Sequence, residues 1–252
     1  MEQKIYREPL LNYRFLIFRV MIGRKLLVLP KFNFQPYIPN GLNKANTMCF
    51  HSKQTKLALI VQSRFNATID NPVQFKPSAN INGFEYPKTL VIIDEKPNVI
   101  THYNWGLIPS WAKDEEIKKY TLNAKIETVN EKPSFKNSVD KRCLLIANGY
   151  YEWQWLDPKG KVKQKYELCL PNEELFAFAG LYSHWIGKET GEIKNTYTTL
   201  TTEANPLLAE IHNHKKRMPV VLKREEESKW LNHEPIEHFA FPYSADLIAV
   251  KL

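Results

Sequence analysis

Seven runs of strand-forming residues follow one another from residue 89 onward, at 89–93, 99–105, 143–147, 150–156, 163–170, 176–182 and 197–202. No helical pattern alternates with them regularly, and this predicts an α+β fold: a largely antiparallel, curved, barrel-like sheet with a few peripheral helices. Asp157-Pro158-Lys159-Gly160 is turn chemistry between two of the runs, so residues 150–170 are expected to form a β-hairpin. Apolar Leu57, Ile60, Val61 and Phe65 recur at helical spacing over residues 55–65. Asn205 followed by Pro206 reads as an N-cap and first turn of a short helix that ends near His212.

The chain carries 35 Lys+Arg against 27 Asp+Glu, a net +8, which points to a polyanionic partner. The excess is uneven, however. Residues 1–47 hold eight basic residues and two acids, so the remainder is close to neutral and any nucleic-acid surface there must be a local patch. Residues 1–47 also lack coherent hydrophobic patterning and end in a polar, linker-like stretch. They read as a basic extension, either upstream of the true start or removed, ahead of one domain over residues 48–252. Cys49, Cys143 and Cys169 have no metal-like spacing and are too few for a disulfide framework. No metal, nucleotide or flavin signature is present, so no cofactor is expected. The most apolar N-terminal stretch, residues 15–30, is interrupted by Arg19, Arg24 and Lys25 and falls short of a membrane span. The expectation is a cytoplasmic monomer without membrane contact, associated with the nucleoid if the source is bacterial.

Polar residues set among apolar ones stand out in several segments. These are Met48-Cys49-Phe50-His51, Trp105-Gly106-Leu107-Ile108-Pro109-Ser110-Trp111, Asn123-Ala124-Lys125-Ile126-Glu127-Thr128, Asn148-Gly149-Tyr150-Tyr151-Glu152-Trp153, and Ile211 to Pro219 with two histidines and three cations. With Ala177-Phe178-Ala179-Gly180-Leu181 and Thr201-Thr202-Glu203-Ala204-Asn205, they occur in the order and register that resembles the SRAP (SOS response-associated peptidase) family over residues 48–252. Members of that family include sensors of abasic sites in single-stranded DNA.

The resemblance implies a specific chemistry. Removal of the initiator Met48 exposes Cys49, whose α-amine attacks the ring-opened aldehyde of an abasic site, and whose thiol then closes a thiazolidine that crosslinks protein to DNA. A terminal amine has an ordinary pKa of about 7.7–8.0, so a useful fraction is neutral at pH 7, whereas an amide nitrogen cannot react in this way. By the same resemblance Cys49 is the nucleophile, Asn123 hydrogen-bonds near the aldehyde, and Glu152 orients the amine and moves protons, including in Met removal. A histidine serves the opened sugar. A carboxyl flanked by Tyr151 and Trp153 is expected to be partly desolvated and raised in pKa. The family pattern His-x-Arg-Met-Pro is lengthened here, which makes His212 the favoured histidine, after Glu210-Ile211, with His214 as competitor. Lys125, Trp105, Pro109, Trp111, Arg217 and Met218 are the expected DNA contacts. Lys125 and Phe50-His51 depart from the Arg and Gly-Arg common in the family, which removes bidentate phosphate binding at those places.

Taken singly, each residue has a plainer reading. Cys143 and Cys169 fit buried small hydrophobes, the tryptophans fit core, Glu152 a structural acid, the histidines caps, and residues 215–217 a solvated face. Two alternative functions stay open: a non-covalent single-strand binding module, in which aromatics and cations form the surface, and a conventional Cys–His peptidase.

Overall fold

The computed structural model describes residues 50–252 in full and the backbone of residues 19–22 and 25–28. Met48 and Cys49 lie outside the described residues. The chain divides into two units, Met1–Asn43 and Lys44–Leu252. In the first, β1 (Arg19–Ile22) pairs antiparallel with β2 (Lys25–Val28), Arg19 opposite Val28 and Ile22 opposite Lys25. The expectation of no coherent pattern in residues 1–47 is corrected at this point. Two β-prone runs separated by two residues, the first of them Gly23, are a hairpin signal.

The second unit is built on a closed sheet. In it, β6 (Lys88–Ile93) pairs with β7 (Val99–Trp105) and with β9 (Arg142–Ala147), and β9 with β12 (Phe176–Ile186). Strand β12 pairs in turn with β13 (Ile193–Glu203), all of these antiparallel. The ring is closed by a short parallel pairing of β7 with β13, Asn104 opposite Thr196 and Trp105 opposite Tyr197. Three short strands attach to it: β4 (Thr68–Ile69) on β7, β8 (Asn123–Lys125) parallel to β13, and β14 (Arg217–Pro219) antiparallel to β13, with β15 (Val221–Leu222) continuing onto β12. The fold is thus α+β with a barrel-like sheet.

A second, antiparallel sheet runs in the order β16 (Ile248–Lys251), β11 (Lys163–Cys169), β10 (Gly149–Trp155), β3 (His51–Gln54) and β5 (Ser78–Asn82). The β10–β11 hairpin forms at the expected turn, where Asp157 Oδ1 accepts from the Lys159 amide at 2.8 Å. The helices are few and short. In α1 (Ala58–Phe65), Ala58, Val61 and Phe65 face the core, while Leu57 and Ile60 are 64% and 50% exposed, so the apolar spacing located the helix but only part of its buried face. Asn205 caps α2 (Pro206–Ile211) by accepting from the Leu208 amide at 2.9 Å. Helix α3 (Glu227–Leu231) lays Trp230 on β9, where its indole N–H donates to the Cys143 carbonyl at 3.0 Å. Among the described residues no helix is long and apolar enough to cross a membrane.

Both faces of the central strands are buried, which is why β9 and most of β12 are continuously apolar rather than alternating. One face joins Ile92, Leu144 and Leu181 to Trp230 and Val61. The other joins Tyr103, Cys143, Phe178 and Tyr197 to Tyr150 and Leu168 of the second sheet and to Leu208 and Ile211 of α2. Cys143 and Cys169 are buried free thiols, as their strand context suggested. Gly180, in β12, has no room for a side chain: a Cβ there would lie 2.9 Å from Cys143 Sγ and from two atoms of Leu145. Gly180→Ala is therefore expected to destabilise the fold by about 1–3 kcal/mol, the usual range for overpacking a close-packed interior. Urea denaturation measures this, and an unchanged midpoint would mean that β9 can yield.

Candidate functional site

The residues that deliver Asn123 to its place are a chain of hydrogen bonds that begins at Gly106. The backbone there turns at φ +110°, open to glycine, and a Cβ would sit 3.1 Å from both Lys118 and Tyr86. Its N–H donates to the Tyr197 carbonyl at 2.9 Å, which extends the β7–β13 closure. Thr121 then donates its hydroxyl to the Leu107 carbonyl at 2.6 Å, and the Trp105 indole donates to the Leu122 carbonyl at 2.8 Å. With residues 121 and 122 stitched to this segment, Asn123 enters β8 directly opposite Thr199 of β13 and is buried.

Glu152 lies in β10 opposite Tyr166 and is 4% exposed. Alternation along the strand places it on the same face as Tyr150, which packs edge-on against Phe178 of the barrel, and Gln154, whose amide donates to the Glu210 carbonyl of α2 at 3.3 Å. This face therefore lies between the second sheet and the barrel, with the end of α2 across it. The turn after α2 is pinned to the same strand by Asn213, which accepts from the Trp155 amide at 3.1 Å and donates to the Trp155 carbonyl at 2.9 Å.

His212 is buried at the C-cap of α2, and its Nδ1 lies 2.7 Å from the Arg217 carbonyl. A carbonyl can only accept, so Nδ1 carries the hydrogen and the basic lone pair of the neutral ring is on Nε2. His214 is placed differently: it is exposed and its ring stacks on Trp155 at 3.7 Å between centroids and 10° between planes.

Phe50, which precedes β3, is held at two points. The Phe50 carbonyl accepts from the Gly83 amide at 2.7 Å, and the Phe50 ring packs on Phe84 at 4.4 Å. Five residues further on, the buried Asn148 side chain accepts from the Thr55 amide at 2.8 Å and so holds the far end of β3 to the β9–β10 junction. A small cavity of about 20 Å³ lies between β3 and the barrel, lined among others by Ser52, Trp105, Tyr197, Thr199 and Pro219, with room for about one water. Ser52, Thr199 and Pro219 bring it next to the start of β3, to Asn123 and to β14.

The six expected DNA contacts are separated by burial. Lys125 and Trp111 are exposed, and the Trp111 indole donates to the Pro133 carbonyl at 3.2 Å. Trp105, Pro109 and Met218 are buried. Trp105 stacks on Tyr197 at 6.0 Å as part of the cavity wall, and the Met218 sulfur lies 3.5 Å from the Asn205 amide that enters α2. Arg217 is half-buried and its guanidinium is engaged by Glu127 in a two-point fork, at 3.0 and 2.8 Å, with a further bond to the Thr201 carbonyl at 2.7 Å.

Glu127 and Asn148 were given no role from sequence. Burial pushes the Glu127 carboxyl up, but the Arg217 fork and the Thr202 hydroxyl outweigh it and hold the group below the usual carboxylate range. The resulting ion pair ties the segment after Asn123 to β14 and hence to the carbonyl that orients His212. The signal was present: the Glu of Asn-Ala-Lys-Ile-Glu-Thr and the Arg of Arg-Met-Pro are opposite charges in two motifs that share one site.

The family profile of SOS response associated peptidase (SRAP) matches residues 48–250. The abasic site processing protein YoqW of Bacillus subtilis is 42% identical over 179 residues, 69% of this chain and 77% of that protein. The abasic site processing protein HMCES of Pongo abelii is 31% identical over 169 residues, 55% of this chain and 47% of that longer protein. Among solved structures, a protein from Bacteroides thetaiotaomicron superposes with a TM-score of 0.73 at 34% identity, covering 81% of this chain and 92% of its own. The profile match runs through every segment that builds this site, and the chain belongs to the SOS response associated peptidase (SRAP) family.

Proposed function

We propose that this protein processes abasic sites in single-stranded DNA by forming a covalent thiazolidine through Cys49. The single observation that carries the reading is the family match that begins at Met48, because it makes Cys49 the second residue of the domain. Relatives named as abasic site processing proteins, at 42% and 31% identity, support it. The buried carboxyl of Glu152 and the oriented imidazole of His212, on elements packed against one another, support it further.

Either the functional polypeptide starts at Met48, or the bond between Thr47 and Met48 is cut. Water then adds to the Met48 carbonyl, and cleavage releases methionine and the Cys49 amine. That amine attacks the C1′ aldehyde of the opened deoxyribose, and loss of one water gives the Schiff base. The Cys49 sulfur adds to the imine carbon, its proton passing to nitrogen, and closes the ring. Overall one aldehyde and one terminal cysteine yield one thiazolidine and one water. Glu152 moves the protons of amine attack and of Met48 removal. His212, through Nε2, serves the sugar hydroxyl released on ring opening, and Asn123 hydrogen-bonds the aldehyde oxygen. Lys125, exposed two residues beyond Asn123, binds a phosphate as a point charge.

Three outcomes are expected. Protein expressed from Met48 and mixed with an oligonucleotide holding one abasic site gives a heat- and denaturant-stable shifted band, and Cys49→Ala abolishes it. A salt-sensitive complex indifferent to that substitution would instead support a non-covalent binding module. In the same background Glu152→Gln retains Met48 or loses it slowly by intact mass in a purified system without aminopeptidase, and complete removal would contradict the role given to Glu152. Lys125→Ala weakens binding and makes the slope of log K against log salt shallower by about 0.7, one phosphate contact on a single strand; an unchanged slope would count against that contact.

A further inference from the structure

The hairpin tip beside the site carries a cluster of groups that the proposed reaction does not use. Trp155 ends β10, and the His214 ring stacks on its indole at 3.7 Å. The Lys163 ammonium, directly across the hairpin, lies 5.5 Å from the same indole. Gly160 turns at φ +63°, and a Cβ there would fall 2.5 Å from the indole ring, so the turn packs closely on Trp155 and holds it. Lys159, Lys161, Lys163, Lys215 and Lys216 are all exposed around this point. The one acid of the turn, Asp157, is engaged with the backbone amides of Lys159 and Val162, and the surrounding lysines outnumber it, so the tip is positive on balance.

His214, Lys215 and Lys216 fall in the stretch by which this chain lengthens the family's His-x-Arg-Met-Pro pattern. The lengthening has a definite path. Gln154 meets α2 on one face of β10, Asn213 clasps the strand at its edge through both backbone groups of Trp155, and His214 reaches the Trp155 side chain on the opposite face. The turn thus leaves the buried His212 and emerges, two residues later, as a stacked aromatic pair ringed by cations. Lys216 at φ +51° and its amide, which donates to the His212 carbonyl at 2.8 Å, keep the turn tight.

We infer that the Trp155–His214 stack, with Lys163, Lys215 and Lys216, is a second binding site for single-stranded DNA, engaging the strand that flanks the abasic nucleotide. It rests on the reading that the neighbouring site takes single-stranded DNA. A flanking base extends the stack over His214, and the lysines bind its adjoining phosphates, the combination of flat face and cations that suits an unpaired strand of any sequence. The preformed stack lowers the ordering cost of binding, since the imidazole is already held parallel to the indole.

The test uses the full chain and a fluorescent, undamaged twenty-nucleotide oligothymidylate, read by anisotropy across a salt series. Because this probe has no aldehyde, binding is measured apart from crosslinking. Lys215→Ala/Lys216→Ala together are expected to make the salt slope shallower by about 1.4 and to weaken binding about 25-fold at 0.1 M salt, two single-strand phosphate contacts. His214→Ala is expected to weaken binding about fivefold or more with little change of slope, and His214→Phe to restore it. The Lys215→Ala/Lys216→Ala protein should still crosslink a trinucleotide with a central abasic site at the original yield. Unchanged affinity and slope in the variants, or failure of His214→Phe to restore binding, would overturn the second site. Loss of trinucleotide crosslinking in His214→Ala would instead place His214 in the reaction and overturn its assignment here. If no abasic oligonucleotide is crosslinked at all while the variants still lose oligothymidylate binding, the covalent reading fails and the second site stands.

Discussion

The parallel pairing of β7 with β13 is the constraint on which the rest of the site depends. It is short, two residue pairs and the Gly106 bond that extends them, yet it closes the sheet and brings the chain after Trp105 alongside the strand that also supports β8 and β14. Asn123 and the carbonyl that orients His212 are both referred to β13 in consequence. A parallel contact of this kind requires a long connection between its strands. The chain makes that connection through β9 to β12, and so delivers Glu152 on the sheet that packs across the barrel.

Positions within the site are held by charge and hydrogen bonding as well as by packing. The Glu127–Arg217 fork joins the segments carrying Asn123 and His212 and is bidentate, a geometry a lysine could not reproduce. Lys53 plays a similar part on the other sheet. Burial works against its charge, but bonds to Glu167 at 2.6 Å and Glu173 at 3.2 Å outweigh this and raise its pKa, while fixing β3 to β11 two strands away. The strand that begins two residues after Cys49 is thereby anchored at both ends, by Gly83 at its start and by this cluster with Asn148 at its finish.

Much of this was legible in the sequence, and what was not has physical reasons. Strands 99–105 and 143–147 were placed to within a residue because apolar β-branched runs bounded by turn residues have few other uses, and the Asn205 cap was read from its side-chain chemistry. The strands β3, β5, β8 and β14 escaped because they are short and polar and are strands only through their partners: Asn123-Ala124-Lys125 has no strand pattern of its own and takes its conformation from β13. The burial of Trp105 and Met218 was not legible, because a motif records which residues share a site but not which of them form its wall. The same limit hid Glu127, whose importance lies in a partner 90 residues away. The two histidines differ in position, His212 at the C-cap of α2 and His214 out on Trp155, a difference that spacing alone could not supply.

The central claim is that one terminal cysteine supplies both the nitrogen and the sulfur of the bond to DNA. Mass spectrometry of the crosslinked product, digested to a single nucleotide remnant on its peptide, tests this most directly. The account predicts a peptide whose first residue is Cys49, heavier than the unmodified peptide by the abasic remnant less one water, and resistant to borohydride because no imine is left. A remnant mapped to a lysine side chain, or to a peptide that still begins at Met48 or upstream of it, would contradict the account.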